Sequence, residues 1–512
     1  MSAADRQYPW WNKAVFYEVF VRSFYDSNAD GIGDLQGLIQ KLDYLNDGNP
    51  ATVTDLGVSA LWLMPVYPSP SYHGYDVLDY YSINPDYGTI QDFAQLLEEA
   101  HARGIRVIID LVINHTSDKH PWFTAAQDPA SPYRDWYVWA ESDPHLAGWH
   151  KAAGGEGYYF GLFWGGMPDL NLENPAVTQE IYDIAAFWLE QGVDGFRLDA
   201  AKHLIEEGSN YSNTQATHTW WKAFRTYIKD INPEALILGE TWDESVNVAK
   251  YVQGDEHDMD FDFGLAYGYV SAAARGQAIQ ANYPLRQNIE LFPPNTFAAF
   301  LTNHDMNRVM SDLGDDPAKA KAAAAMLLTG PGTPFIYYGE EIGMLGTKPD
   351  EDIRLPMQWS AEEYAGFTSS IPWRRLNLDY PGKNAALQSG EPGSLLSWYR
   401  RLIALRTQFP SLQTGDSFPI SSKSPAVYSL LRTDGLRHVL VVINLGDKTT
   451  GDYALNLDTG PLPNGEYLAF SLIEAEVYPT LTIQEGGFSG YLPLPDLAPY
   501  QVLIIELEKG SD

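Results

Sequence analysis

Short apolar runs alternate with segments of helical period along the first three quarters of the chain. The runs lie at 15–21, 60–66, 106–114, 194–200, 235–240, 258–263, 297–303 and 335–341. Each is bounded by polar or Gly-containing turns, and several are rich in β-branched and aromatic residues, as strands buried on both faces require. The segment 177–191 shows the helical period, with Ile181, Ile184, Trp188 and Leu189 on one face and Gly192 placed to end it. Eight strands with intervening helices predict an α/β fold of the (β/α)8 TIM-barrel kind. A doubly wound open sheet is the competing architecture. It usually has fewer strands and a Gly-rich first turn, which is not found in this sequence.

The pattern breaks twice. Between the third run and the fourth lie about eighty residues, too many for a plain βα connection. Rich in Trp, Gly and Pro, they predict an irregular domain inserted after strand three. After about residue 420 the rhythm changes to short β runs with turn signals, AVYSLLRTDG, HVLVVINLGD and QVLIIELE. These predict a C-terminal antiparallel β-sandwich. The expected division is 1–114 and 179–420 for the barrel, 115–178 for the insert and 421–512 for the β domain.

Three acids end three of the runs: Asp199 in GVDGFRLDAAKH, Glu240 in ALILGETWD and Asp305 in FAAFLTNHDMNR. Barrel chemistry sits at the C-terminal ends of strands. Parallel strands can therefore bring these carboxyls to one pocket. Two carboxyls flanking a bond are what glycoside hydrolysis needs, and a third can stabilise a cationic transition state. Arg197, two residues before Asp199, shares its face and can hold it ionised. A simple Arg–Asp pair at the barrel mouth, and a solvent-facing Glu240, are the alternatives. His115 and His304 also follow strand ends. Neither has a second His at helical spacing, so a metal site is weakly supported and a hydrogen-bonding role is the commoner fate.

The loop DSNADGIGD carries oxygen donors at Asp26, Asn28, Asp30 and Asp34, with the Ile32 carbonyl between them. This set suits a structural calcium ion. It opens like an EF-hand, but Gly37 stands where the bidentate Glu belongs. A metal-free loop of Asx turns is the alternative. Aromatics make up 13% of the chain, and Trp62, Tyr72, Tyr75, Phe163, Trp164 and Trp242 fall near strand ends. A carbohydrate site would stack sugars on such rings, though packing of the insert also explains them.

Composition narrows the partners. A net charge of −34 disfavours nucleic acid and anionic membranes. The absence of cysteine excludes disulfides and thiol catalysis. No apolar run reaches the length of about 18 residues that spans a bilayer. The N-terminus MSAADRQYPWW has no leader pattern. A cytoplasmic protein is expected, or a secreted one whose signal peptide is absent from this chain.

Taken together, DLVINH, GFRLDAAKH, GETWD and FLTNHD, in this order, resemble the four main motifs of the α-amylase family, glycoside hydrolase family 13. HGYDVLDY and MPDLN resemble its accessory motifs, and MPDLN is similar to the signature of a group intermediate between α-amylases and oligo-1,6-glucosidases. The resemblance implies roles. Asp199 matches the nucleophile, Glu240 the acid/base and Asp305 the transition-state stabiliser. Arg197, His115 and His304 match binders of the reacting sugar, and Tyr75 its stacking platform. Asp76 and Arg354 resemble a pair that holds a terminal sugar. Lys202 and His203 match binders on the leaving-group side. The 26–34 loop resembles a calcium loop of the oligo-1,6-glucosidase branch. Asn114 matches a calcium ligand of α-amylases, but that branch carries this Asn without the ion, so a second site is left open.

The implied activity is retaining hydrolysis of α-1,4 bonds in starch and malto-oligosaccharides by a monomer. An α-glucosidase or transglycosylase acting on short oligosaccharides is the alternative. A non-catalytic relative is the remote one.

Overall fold

The computed structural model describes residues 6–154 and 156–510. The first five residues, on which the expected absence of a leader partly rests, lie outside the described residues. Eight strands form the centre: β1 (Phe16–Val19), β2 (Ala60–Leu63), β3 (Arg106–Leu111), β4 (Gly195–Leu198), β5 (Leu236–Gly239), β6 (Met259–Phe261), β7 (Phe297–Phe300) and β8 (Thr333–Tyr337). They close in chain order into a parallel barrel, with Phe16 of β1 paired to Phe335 of β8. Each of the eight expected runs falls on one of them.

Alternation along the strands divides the core. Phe16, Trp62, Ile108, Leu238, Phe261, Phe300 and Phe335 fill the barrel interior, where Phe16 and Phe335 stack at 4.3 Å. Tyr17, Leu61, Ile109, Phe196 and Ile237 belong to the larger core outside the barrel, where the surrounding helices pack. Helix Pro175–Gln191 shows why the local sequence starts and stops there. Asn174 caps its N-terminus, Pro175 occupies the first turn, and Gly192 closes it at φ 101°.

Between β3 and β4 lies the expected insert. It contains helix Pro121–Ala126 and a three-stranded antiparallel sheet in which Tyr158–Phe160 is central. Bridges His115↔Asp169 and Tyr137↔Leu170 tie its ends beside β3. At the C-terminus a six-stranded antiparallel sheet and a three-stranded one share a core containing Leu431, Leu440, Leu455, Tyr467 and Ile505. Its first strand begins at Asp416. Among the described residues no helix is long and apolar enough to cross a membrane.

Candidate active site

The strand ends deliver the three acids to one place. A cavity of about 420 Å³ is lined by Asp199, Glu240 and Asp305, together with Tyr75, His115, Lys202, His203 and Arg354. Phe163, Trp164 and Met167 reach it from the insert, and Trp242 from the loop after β5. Arg197 and His304 stand behind its wall, fully buried.

Arg197 organises the floor. On β4 its neighbours Phe196 and Leu198 point outward, so its own side chain enters the barrel. One terminal nitrogen donates to Asp110 at 2.6 Å and to Asp199 at 2.8 Å. The other lies 2.6 Å from Glu240 Oε1. One cation thus touches three carboxyls. The backbone fixes the same geometry: Glu240 N–H donates to the Leu198 carbonyl, and Ala201 N–H to the Glu240 carbonyl. Directly after Asp199, Ala200 takes a left-handed φ of 51°, a strained conformation for a residue with a Cβ.

Environment separates the acids. Glu240 is only 8% exposed, and its carboxyl is pushed up to about 8. Burial raises it most, Arg197 opposes, and the negative Asp199 and Asp305 add to the rise. Glu240 therefore holds a proton at neutral pH. Asp305 goes the other way. Burial works to raise it, but His304 at 3.0 Å and Arg354 at 2.7 Å outweigh burial and keep it well below the usual carboxylate range. Burial pushes His115 down, leaving a neutral imidazole. Its Nε2 is buried without a partner at the cavity wall, while Nδ1 lies 3.0 Å from Asn114 Oδ1. A ligand hydroxyl is the kind of group such an orphan needs.

The other expected residues divide. The Tyr75 hydroxyl donates to Asp110 at 3.1 Å and lies 2.7 Å from His304 Nε2. Lys202 Nζ donates to the Trp242 carbonyl at 2.6 Å, and His203 Nδ1 meets the Tyr211 carbonyl at 2.6 Å. Asp76 does not line the cavity. It is buried and accepts from the Ser69 and Ser71 hydroxyls. Arg354 is bonded to Asp305 and the His304 carbonyl. Two aromatics also turn away from the cavity. Trp62 packs inside the barrel, and Tyr72 stacks on Trp373 at 5.4 Å.

Sequence reasoning missed Glu18 and Asp110, both buried beneath the site. Their signal is a charged residue inside an apolar run, in FYEVF and VIIDLV.

The 26–34 loop lies away from the cavity, against the long segment after β8. Asp26 accepts from the amides of Asn28, Ala29 and Gly31 and from the Thr368 hydroxyl. Asn28 and Asp30 each accept from the amide two residues on. Asp34 accepts from Ser27 and caps the helix that follows. The oxygen donors suit calcium in kind. Asp26 accepts four hydrogen bonds, more than Asn28, Asp30 or Asp34. Among the described residues no three acidic or His side chains converge on one metal position. The Asn114 amide donates to the His203 carbonyl.

A parallel barrel with two carboxyls at its C-terminal rim joined by one guanidinium, one of them holding its proton, has the equipment of a glycoside hydrolase. Comparison with known proteins agrees. The family model "Alpha amylase, catalytic domain" matches residues 18–415. α-Amylase 3 of Dictyoglomus thermophilum is 44% identical over 448 residues, 85% of each chain. The oligo-1,6-glucosidase of Parageobacillus thermoglucosidasius is 34% identical, covering 86% of this chain and 91% of its own. The crystal structure of the α-amylase from H. orenii superposes with a TM-score of 0.84 at 41% identity, covering 97% of this chain and 99% of its own. The chain belongs to the α-amylase family, glycoside hydrolase family 13.

Proposed function

We propose that the protein is a retaining α-glucan hydrolase of the α-amylase type, cleaving α-1,4-glucosidic bonds of starch and malto-oligosaccharides. The observation that carries this reading is Arg197, which holds Asp199 and Glu240 together while burial keeps Glu240 protonated. Glu240 gives its proton to the glycosidic oxygen as Asp199 attacks C1, forming a β-glucosyl–enzyme ester and releasing the leaving chain. The Glu240 carboxylate then takes a proton from water. That water attacks C1, breaks the ester and releases the α-configured sugar. Asp305, held ionised by His304 and Arg354, faces the positive charge that develops on the ring. His115 supplies an unpartnered ring nitrogen to a sugar hydroxyl. Trp164 and Trp242, both exposed at the rim, offer flat faces on the leaving-group side.

The closer identity to an α-amylase than to an oligo-1,6-glucosidase supports the α-1,4 preference. A second reading, an α-glucosidase or transglycosylase on short oligosaccharides, draws on the 34% relative and on Arg354 standing at one wall. Incubation with starch, maltotriose, isomaltose and sucrose, with products resolved by chromatography, decides between them. Internal cleavage of starch to α-configured malto-oligosaccharides is expected. Products from isomaltose or sucrose alone reject the first reading. Asp199→Asn abolishes turnover with the fold intact; retained activity removes Asp199 from its role.

The 26–34 loop is proposed as a calcium site through Asp26, Asn28, Asp30, Asp34 and the Ile32 carbonyl, with the hydrogen bonds that Asp26 accepts from backbone amides shaping the loop. The ion would brace the loop against residues 367–373 and takes no part in the reaction.

A further inference from the structure

Glu18 is the one charged residue of β1, and it is 2% exposed. Its Oε1 lies 2.5 Å from His304 Nδ1. At the opposite end of the same ring, Nε2 lies 3.0 Å from Asp305 Oδ2 and 2.7 Å from the Tyr75 oxygen. Asp110 Oδ2, 3.1 Å from the Tyr75 hydroxyl, is available to take that proton, and Asp305 Oδ2 is an acceptor whichever way the hydroxyl turns. The imidazole therefore meets acceptors at both nitrogens. A neutral imidazole has one N–H and one lone pair. Either tautomer aims the lone pair at a carboxylate across 3 Å or less. Only the cation, with two N–H groups, satisfies both ends.

We propose that Glu18 is a positioning residue for the reaction: it fixes His304 as an imidazolium, and His304 in turn sets the direction and charge of Asp305. The inference rests on the reading of Asp305 as the carboxylate that faces the sugar. The surroundings agree with it. Glu18 reaches the ring from β1, Asp110 from β3 and Glu240 from the end of β5, and Asp305 is its neighbour in the chain. Arg197 from β4 and Arg354 from the long loop oppose a further cation, and Tyr75 and the edge of Trp62 close the remaining sides. Burial alone lowers an imidazole, yet Asp305 and Glu18 outweigh it and carry His304 up to about 10. Glu18 does not line the cavity and its carboxyl bonds the His304 ring, so its effect passes through the ring.

The test compares wild type with Glu18→Gln and Glu18→Asp, using protein labelled with ¹⁵N-histidine and the His304 signals assigned by their loss in His304→Gln. In wild type both ring nitrogens remain protonated across neutral pH. In Glu18→Gln the ring titrates at least about one pH unit lower, the smallest shift expected from losing a close opposite charge. Glu18→Asp recovers most of that interval. kcat on malto-oligosaccharides falls in Glu18→Gln, and Glu18→Asp restores it. A neutral His304 at pH 7 in wild type, or the same titration in wild type and Glu18→Gln, overturns the proposal. If Glu18→Gln does not fold, the wild-type and Glu18→Asp titrations decide alone. Absence of glycosidase activity in wild type refutes the proposed function instead, and the ring titration still judges the assignment of Glu18.

Discussion

Replacing Glu240 by Gln should stop catalysis and make the protein more stable, but only above the ordinary carboxylate range. The folded carboxyl titrates at about 8 against an ordinary 4.5. At pH 7 the folded state keeps a proton that the unfolded chain has released. Stability therefore falls as pH rises from 4.5 to 8, because the folded state binds more protons there. Gln mimics the neutral acid in both states and escapes that loss. From 4.5 to pH 7 the difference is about 3 kcal/mol, at roughly 1.4 kcal/mol per unit. Gln forfeits the long bond from Ala200 N–H, 3.3 Å in the native site, worth about 1 kcal/mol. About 2 kcal/mol of gain remains after that loss. Over 512 residues the unfolding entropy is about 1 kcal/mol/K, so the melting temperature rises by about 2 °C. Calorimetry at pH 7 and pH 4 reads this directly. The expected result is a gain at pH 7 that vanishes at pH 4, with turnover reduced by about 10²–10⁴. A variant no more stable than wild type at pH 7, or equally stabilised at pH 4, shows that Glu240 does not hold its proton in the fold. Its assignment as the acid then goes.

Three further outcomes can be checked alongside. Arg197→Met strips the shared cation from Asp110, Asp199 and Glu240; a loss of about 3–5 kcal/mol is expected in denaturant unfolding, and a variant as stable as wild type contradicts the account of the floor. Chelation with EDTA lowers the melting temperature by several degrees, with recovery on adding calcium but not magnesium; an unchanged melting curve and no calcium in elemental analysis of the purified protein retire the 26–34 site. Arg406 donates to the carbonyls of Leu328, Gly330, Gly332 and Gln413 where helix Pro317–Thr329 ends beneath the β domain. Arg406→Leu leaves those acceptors buried at about 1–3 kcal/mol each, so it should lower the unfolding temperature while leaving KM unchanged; a changed KM with unchanged stability refutes that assignment.

The barrel was legible because a strand covered on both faces must be apolar along its length, and eight such runs have few ways to close. Asp199 and Glu240 were legible because each directly follows a buried strand, and Asp305 because it lies a few residues past one, after Thr302, Asn303 and His304. Asp76 shows where that logic ends. Its motif marks a loop, yet two serine hydroxyls at 69 and 71 decide where its carboxyl points, and no local pattern carries that information. Trp62 and Tyr72 fail for a related reason. An aromatic near a strand end has two available faces, and the partner that settles the choice, Phe261 in one case and Trp373 in the other, lies hundreds of residues away. The β domain was recognised by its rhythm, but its first strand at 416–419 is half-exposed along its length and gives no apolar run to read.

The residues that interrupt the runs explain why the acids differ. Glu18, Asp110 and Arg197 are the charged members of otherwise apolar β1, β3 and β4 interiors, and with Asp199, Asp305, His304 and Arg354 they make one connected set. That set holds four carboxylates against three cations, with Asp110 counted as ionised because its value is about 6 despite full burial. The site is already negative before Glu240 is considered. Burial first, and then the charges of Asp199 and Asp305, make Glu240 the carboxyl where a proton stays. Two features that look separate in the sequence, a strand-end glutamate and charged residues misplaced within strands, thus meet at one carboxyl: burial raises Glu240 most, Arg197 opposes, and Asp199 and Asp305 add to the rise.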